Sequence, residues 1–515
     1  MRTTANEPSV EGLDRRTLLG VAAGAALSAG FEAQAATTIT GMSAVALARA
    51  IRTKAVSCVE VMGAYLDQIE RLNPKANAIV ALQDRGDLLK QAATRDAELA
   101  RGGPVGVLHG FPHAFKDLQP AKGIRFTQGS PVFKDTVATT DSLPVERVKA
   151  AGAITIGKTN TPEFGLGSNT FNPVYGITRN AYDPSRTSGG SSGGAAVGLA
   201  LDMLPVADGS DYGGSLRNPA GWNNVYGFRT TIGRVPVAGR EVWLPSMGVN
   251  GPMARNVGDL ALLLSVQAGF DPRAPLSMDG AGDVFRASLA GDLKGKRIAW
   301  LGDFGGAIPY DPGVLELCRG ALRTFEAIGC HVEEAFPDYP VEPVWQAFIR
   351  LRGWQSGGNL LEIYNDPARR DLLKPEAVFE VETGAKLSAF EATAASLVRS
   401  EWTRAVARLF ERFDYLLLPT AQVFPFPAEQ HWPKTVGGRS MRTYHEWMQA
   451  VCLVTMAGCP ALAAPAGFSA EGLPMGIQII GPQHQELACL KLAAAYEAAA
   501  PITLKRRAPA LRAGG

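Results

Sequence analysis

Two turns rich in glycine and serine contain the residue types that covalent acyl transfer requires. They read Ser188-Gly-Gly-Ser-Ser-Gly-Gly194 and Asp208-Gly-Ser-Asp-Tyr-Gly-Gly-Ser215, and both lie among apolar segments. In the second turn, consecutive glycines expose backbone N–H groups just before a serine. An oxyanion hole needs such donors about 3 Å from the oxygen that gains charge when a carbonyl is attacked. The pattern therefore favours buried functional turns over a flexible linker.

A serine nucleophile needs a base, and Lys116 is a candidate. It follows the apolar run that begins at Leu108 and includes Phe111 and Phe115. Most lysines keep the ammonium group in water and bury only the stem, so the surface interpretation stays open. A buried lysine, however, loses its proton near neutral pH because desolvation lowers its pKa.

A phosphate-binding pattern, G-x-x-x-x-G-K-[ST], matches Gly152 to Thr159. That motif needs a flexible loop after a strand and a helix that begins at the lysine. Here the four middle residues are strand-like, and Pro162 disfavours a helix at that point. The sequence therefore does not favour an ATPase.

A nucleophile-elbow pattern, G-x-S-x-G, occurs twice, centred on Ser191 and Ser192. The elbow must lie between a buried strand and a helix. The preceding residues, 183–188, are polar and include Pro184, so no strand leads into the turn. A histidine-based α/β-hydrolase is therefore disfavoured.

Two histidines four residues apart, His109 and His113, could suggest a metal site. Pro112 lies between them, so no helix presents both side chains to one ion. We expect no metal and no cofactor.

The elements around these residues indicate an α/β fold. The capping box Ser57-x-x-Glu60 starts a helix that should end at Asn73-Pro74. A second helix is expected over 314–328. Short apolar runs predict the buried strands 153–156, 203–207, 297–301, 415–418 and 475–480. Helices alternating with such strands favour a central mixed β-sheet flanked by helices, and the aromatic, charged stretch of about 310–450 is expected to form a helical cap.

Composition excludes several classes of protein. The 515 residues include 51 Lys+Arg and 49 Asp+Glu, a net charge of +2, which gives no bulk attraction to nucleic acid. Hydrophobic residues make up 46% of the chain, enough for a large core. The six cysteines form no C-x-x-C pair, so neither a disulfide framework nor a zinc ribbon is predicted.

The first 35 residues resemble an export signal. Arg15-Arg16 precede the uncharged stretch 17–30, and Ala33-Gln-Ala35 offers a small-residue cleavage site. The paired arginines suggest the twin-arginine route, and the stretch is too short to span a bilayer. We expect a mature protein that spans 36–515 and works in the periplasm or outside the cell. An uncleaved N-terminal helix is the alternative.

Together these motifs resemble the amidase signature enzymes over nearly all of the mature chain. The resemblance rests on 152–165, on 168–176, on the two Gly/Ser turns and on the closing segments 458–461 and 472–478. The spacing of 24 residues between Ser191 and Ser215 is also typical of that family. The resemblance implies the amidase-signature fold and accounts for the phosphate-loop pattern as a strand and turn.

The resemblance also implies residue roles. Ser215 would be the nucleophile that forms an acyl-enzyme, Ser191 would follow a cis peptide bond and pass the proton, and Lys116 would be the neutral base. The remaining roles concern the groups around this triad. Backbone N–H groups of Tyr212, Gly213, Gly214 and Ser215 would form the oxyanion hole, Gly165 and Leu166 would line the substrate pocket, Asp211 and Arg217 would be structural supports, and Ser192 would hold the relay turn.

The expected activity is hydrolysis of a small linear amide, with anilides, esters or carbamates as further substrates. No nucleic acid and, after export, no membrane is expected as partner, and homodimer formation stays open. Two alternatives remain: the amide-cleaving component of a glutamyl-tRNA amidotransferase, and a catalytically inactive binding protein. The leader argues against the first, and intact Lys116, Ser191 and Ser215 argue against the second.

Overall fold

The computed structural model describes residues 38–244, 247–500 and 506–511. The expected leader, residues 1–35, lies outside these ranges. Within them, helices surround one eight-stranded sheet and a smaller three-stranded sheet, which confirms the predicted α/β class. No helix in this part of the chain has the length and apolar character needed to cross a membrane.

The α-helices of the described ranges are numbered in chain order. They are α1 (Ala44–Arg52), α2 (Cys58–Ala76), α3 (Arg85–Ala100), α4 (Leu143–Ala150), α5 (Gly193–Ala200), α6 (Arg217–Trp222), α7 (Val257–Gln267), α8 (Val314–Ala327), α9 (Val341–Arg352), α10 (Gly358–Tyr364), α11 (Pro367–Arg370), α12 (Pro375–Ala385), α13 (Ala389–Phe410), α14 (Gln449–Ala457) and α15 (Glu486–Ala499). A π-helical segment, Gly353–Gly357, joins α9 to α10.

The strands are numbered in the same way. They are β1 (Ile79–Val80), β2 (Pro112–Lys116), β3 (Ile154–Thr159), β4 (Phe171–Asn172), β5 (Gly176–Ile177), β6 (Ala207–Asp211), β7 (Tyr226–Arg229), β8 (Val249–Ala254), β9 (Arg297–Trp300), β10 (His331–Glu334), β11 (Tyr415–Pro419), β12 (Thr435–Val436), β13 (Arg439–Ser440), β14 (Ala461–Phe468) and β15 (Pro474–Ile480).

The large sheet is mixed, with the strand order β10-β9-β11-β15-β14-β7-β8-β6. The pairs β10/β9 and β9/β11 are parallel, and the other neighbours are antiparallel. The small sheet has the order β1-β3-β2, with β2 parallel to β3. Its strand β2 lies beside β6 at the edge of the large sheet, and this junction positions the candidate base.

Helix α2 begins at the predicted capping box. Ser57 Oγ accepts the Glu60 N–H at 3.1 Å, and the Glu60 carboxylate accepts the Ser57 N–H at 2.8 Å. The predicted end at Asn73-Pro74 is wrong, because the helix continues to Ala76 with Pro74 inside its last turns. The Asn73 side chain accepts the N–H groups of the two residues that follow Asn77, each at 2.8 Å, and thereby fixes the chain beyond the helix.

One predicted strand is displaced along the chain. The apolar run 203–207 predicts a strand, but strand β6 begins only at Ala207 and ends at Asp211. Pro205 has no N–H to give to a ladder, so pairing starts after it. The strand therefore carries the polar residues of the second Gly/Ser turn into the sheet edge.

The expected cap also needs a correction at its boundaries. Within about 310–450, strands β10 and β11 belong to the central sheet, and α8 packs against that sheet. The segment 341–385, from α9 to α12, covers the site, and we call it the cap. Its side chains enclose Leu166 in a small apolar cluster with Leu360, Ile363, Leu373, Ala377 and Val381.

The cysteines agree with the expectation from sequence. All six are free and buried, so none forms a disulfide bond. They pack as small apolar groups, and burial raises the pKa of the Cys58 and Cys452 thiols to about 12. None of them is a reactive thiolate at neutral pH.

Candidate active site

Strand β2 delivers Lys116 to the site as its last residue. The backbone N–H of Lys116 points at the Asp208 carboxylate of β6, with both oxygens 3.3 Å away. Residues i and i+2 of a strand face the same side, so Asp208 and Ser210 approach Lys116 together. The lysine side chain is completely buried, which excludes the surface interpretation.

Three serine hydroxyls surround the Lys116 amine. Its Nζ lies 2.7 Å from Ser191 Oγ, 2.9 Å from Ser192 Oγ and 3.0 Å from Ser210 Oγ. The Ser210 carbonyl oxygen lies farther away, at 3.4 Å. The amine is therefore in hydrogen-bonding range of the serine expected to relay the proton.

Burial sets the protonation state of Lys116. Desolvation lowers the pKa of the ammonium group from 10.5 to about 7, although the carboxylates of Asp208 and Asp211 oppose the shift. A group with such a pKa is divided between its charged and neutral forms at neutral pH. Lys116 can therefore act as a base without a histidine.

Ser191 lies in a turn that is fixed by close backbone packing. The peptide bond between Gly190 and Ser191 is cis, as expected. The Ser192 N–H donates to the Ser215 carbonyl at 3.2 Å and joins the two Gly/Ser turns. A Cβ on Gly194 would lie 2.3 Å from the Asn160 backbone nitrogen, so this position requires glycine. Helix α5 follows directly and holds the turn from behind.

Ser215 precedes α6 and keeps 7% of its surface exposed. The Asp211 carboxylate shapes its turn by accepting the N–H groups of Gly214 at 3.0 Å and Leu216 at 3.1 Å. Arg217 donates to both oxygens of Asp211 at 2.9–3.0 Å. Burial alone would raise the pKa of Asp211, but Arg217 and Arg229 hold it well below its usual range. This ion pair supports the turn, as expected.

The oxyanion-hole expectation needs one correction. The Gly214 N–H is already bonded to Asp211, so it is occupied by a structural contact. By contrast, the N–H groups of Tyr212, Gly213 and Ser215 have no acceptor among the residues that the structure describes. Three of the four expected donors are therefore available to a ligand oxygen.

The two expected pocket residues lie in different surroundings. Gly165 has φ +70°, and a Cβ there would lie 3.4 Å from Ser191 Oγ and 2.7 Å from Leu118 Cδ1. Leu166 instead packs beneath the cap, and its carbonyl oxygen accepts a bond from Lys374 Nζ at 2.5 Å. Gly165 therefore borders the serines, whereas Leu166 connects this border to the cap.

The two histidines of the site region point to different partners. His109 Nε2 lies 2.8 Å from the Arg95 carbonyl oxygen, and His113 Nε2 lies 3.1 Å from Asp208 Oδ1. His113 thus contacts a carboxylate and none of the serines named above. No metal-binding group of His, Cys, Asp and Glu side chains occurs in the described residues.

A cavity of about 310 Å³ opens beside the second Gly/Ser turn. Ser210, Asp211 and Tyr212 form one wall of it. Apolar side chains form much of the rest: Ile232, Val235, Pro236, Val237, Val242, Leu244, Val249 and Leu276. Glu241 also lines it, but its carboxylate accepts the N–H groups of Trp243 and Leu244. The cavity therefore suits an apolar group.

A family model described as Amidase matches residues 60–490. The chain belongs to the amidase signature family. This amidase is 34% identical to an acylamidase of Rhodococcus erythropolis over 477 residues, covering 91% of this chain and 98% of that protein. It is equally 34% identical to the glutamyl-tRNA(Gln) amidotransferase component of the same family from Thermosynechococcus vestitus, covering 88% and 97%.

Solved structures agree with this assignment. A bacterial aryl acylamidase of the amidase signature family superimposes with a TM-score of 0.84 at 30% identity, covering 89% of this amidase and 96% of that chain. A peptide amidase from Stenotrophomonas maltophilia gives a TM-score of 0.74 at 26% identity, covering 91% and 98%. The protein is a hydrolase of carbon–nitrogen bonds in linear amides, as the sequence predicts.

Sequence reasoning about this amidase missed two polar residues at the base. Ser210 contacts Lys116 Nζ, and Asp208 anchors the backbone of the same lysine. Both stand in the second Gly/Ser turn, and their alternation along a strand is the signal that could have identified them. The misplaced strand boundary concealed it.

Proposed function

We propose that this amidase cleaves its substrate through an acyl-enzyme on Ser215. Neutral Lys116 accepts the proton of the Ser191 hydroxyl, and Ser191 in turn takes the proton of Ser215. The Ser215 oxygen then attacks the amide carbon, and the N–H groups of Tyr212, Gly213 and Ser215 donate to the oxyanion. When the C–N bond breaks, the proton returns through Ser191 to the leaving amine, and water later hydrolyses the ester.

One observation carries this proposal. A completely buried lysine with a pKa of about 7 lies 2.7 Å from Ser191 Oγ, which is the arrangement that a general base requires. The hydrogen bond from the Ser192 N–H to the Ser215 carbonyl holds the relay serine and the nucleophile on adjoining turns. An inactive binding protein would have no use for a lysine whose charged form is destabilised at this place.

The substrate we propose is an amide with an apolar acyl or N-aryl group. The support is the largely apolar cavity beside Tyr212 and the similarity to an acylamidase and to an aryl acylamidase. The test is a panel of acyl anilides, aliphatic amides, matched esters and carbamates, and glutamine, assayed with the wild type and with Ser215→Ala. Apolar amides should be cleaved by the wild type alone. Turnover of glutamine with no cleavage of anilides would instead favour the amidotransferase alternative.

We propose further that the protein is exported and works in the periplasm or outside the cell. The support is the sequence of residues 1–35, with Arg15-Arg16 before an uncharged stretch. Expressed with its own leader, the protein should leave the cytoplasm shortened by about 35 residues. Changing the two arginines to lysines should block this, and full-length protein retained in the cytoplasm of the native host would contradict it. Light scattering of the mature protein would distinguish a monomer from a homodimer.

A further inference from the structure

The turn that contains the proposed oxyanion donors has a single side chain beyond Asp211 and before Ser215. Tyr212 provides it, because the next two residues are Gly213 and Gly214. Glycines allow many backbone conformations, so the direction of the N–H groups at 212 and 213 must be fixed by other contacts. At its far end, the turn is held by the bond from the Gly214 N–H to Asp211.

The cap holds the near end of the turn through the Tyr212 side chain. The Tyr212 hydroxyl donates to Gln355 Oε1 at 2.7 Å, and Gln355 lies in the π-helical segment Gly353–Gly357. Helix α9 also touches the turn, because a Cβ on Gly213 would lie 3.5 Å from Phe348 Cζ. The glycine is thus covered by the same helix that leads to Gln355. Irregular helical turns of this kind often occur at functional sites.

A second contact comes from Arg352, whose Cζ lies 4.8 Å from the centre of the Tyr212 ring. The guanidinium is itself fixed, with Arg352 Nε 2.7 Å from Glu380 Oε1 and 3.1 Å from His445 Nε2. Burial alone would raise the pKa of Glu380, but Arg352 lowers it to about 2, so the two groups form a buried ion pair. A charge held in this way cannot move away from the ring without leaving Glu380 unpaired.

We propose that Gln355 and Arg352 are positioning residues of the reaction: they hold Tyr212 so that the N–H groups of Tyr212 and Gly213 point at the developing oxyanion. This inference rests on the proposed function of the Ser215 turn. Neither residue touches the reacting atoms, and each acts through the Tyr212 side chain. The cap would thereby couple its own position to the strength of the oxyanion hole.

The test removes the hydrogen bond from either side, with Gln355→Leu and Tyr212→Phe and the double variant. A neutral hydrogen bond contributes about 0.5–1.5 kcal/mol, which corresponds to about a 3- to 10-fold fall in kcat for each single variant. KM should stay within about twofold, because the donors act in the transition state. The double variant should be no slower than the slower single variant, since both changes break the same contact.

Two controls separate positioning from general damage. Gln346→Leu makes the same chemical change on an exposed turn of α9 and should leave kcat unchanged. Gln355→Glu keeps an acceptor oxygen and should restore most of the lost rate. Melting temperatures identify any variant that does not fold, and Tyr212→Phe, which keeps the ring, then decides the matter.

The inference is overturned by three results: a rise in KM at constant kcat, fully additive losses in the double variant, or no rescue by Gln355→Glu. Fluorophosphonate labelling of Ser215 distinguishes this failure from failure of the proposed function. Label on Ser215 with any of the three results refutes the positioning role alone. Label on another residue refutes the proposed function itself.

Discussion

The pH dependence of kcat/KM should follow the titration of Lys116. The neutral amine is the base, so activity rises with pH through the pKa of about 7 that burial imposes on this group. Since kcat/KM reports the free enzyme, an anilide substrate with no titrating group of its own gives the cleanest profile. The profile should rise and then become flat on the alkaline side.

The size of the rise distinguishes a buried lysine from an ordinary one. With a pKa of about 7, the neutral fraction is about 9% at about pH 6 and about 91% at about pH 8, so kcat/KM should increase about tenfold and then level off. With an ordinary lysine pKa of about 10.4, the same interval would give about a hundredfold rise that continues to about pH 10.

The assay is a set of initial rates at constant ionic strength, with the enzyme checked for folding at each pH. Lys116→Ala should show a low, flat profile over the same range, because its titrating base is gone. A hundredfold rise between the same two pH values, or an unchanged inflection in Lys116→Ala, would refute the argument that burial of this lysine creates the base.

Further changes test the neighbouring groups. Ser191→Ala should slow turnover less than Ser215→Ala, which should cost about three or more orders of magnitude, because water can replace a relay hydroxyl but not a nucleophile; steady-state kcat values compare the two. Lys116→Arg should not restore activity, since guanidinium stays charged, whereas His113→Gln should stay within about tenfold of wild type because His113 contacts Asp208 rather than the serines; the reverse pattern in the same assay would indicate a histidine base. Activity should survive dialysis against EDTA and need no ATP, and strict dependence on either would contradict a mechanism built from side chains and backbone donors.

The catalytic residues could be predicted because each stands in a short contiguous motif. Lys116, Ser191 and Ser215 come from three separate segments, and the resemblance to a family assigned their roles before the fold was known. The structure adds the distances that make Lys116 a base, and it shows that Gly214 is engaged by Asp211. A carboxylate that accepts backbone N–H groups within its own turn leaves no signal in the spacing of residues.

The contacts of the cap could not be predicted in the same way. Tyr212 and Gln355 are separated by 143 residues, and Arg352 and His445 by 93, with no motif that connects either pair. The aromatic and charged composition of the region predicted a cap but not its limits. Strands β10 and β11 within that region are short, and only their pairing with β9 shows that they belong to the central sheet.

The most direct test of the central claim is to locate the covalent adduct. The enzyme is treated with a fluorophosphonate, digested, and mapped by mass spectrometry, with Ser215→Ala as the matched control. The account predicts one adduct on Ser215, absent from the control, that forms more slowly in Lys116→Ala. An adduct on Ser191 or Ser192 in the wild type, or full labelling of the Ser215→Ala variant, would contradict it.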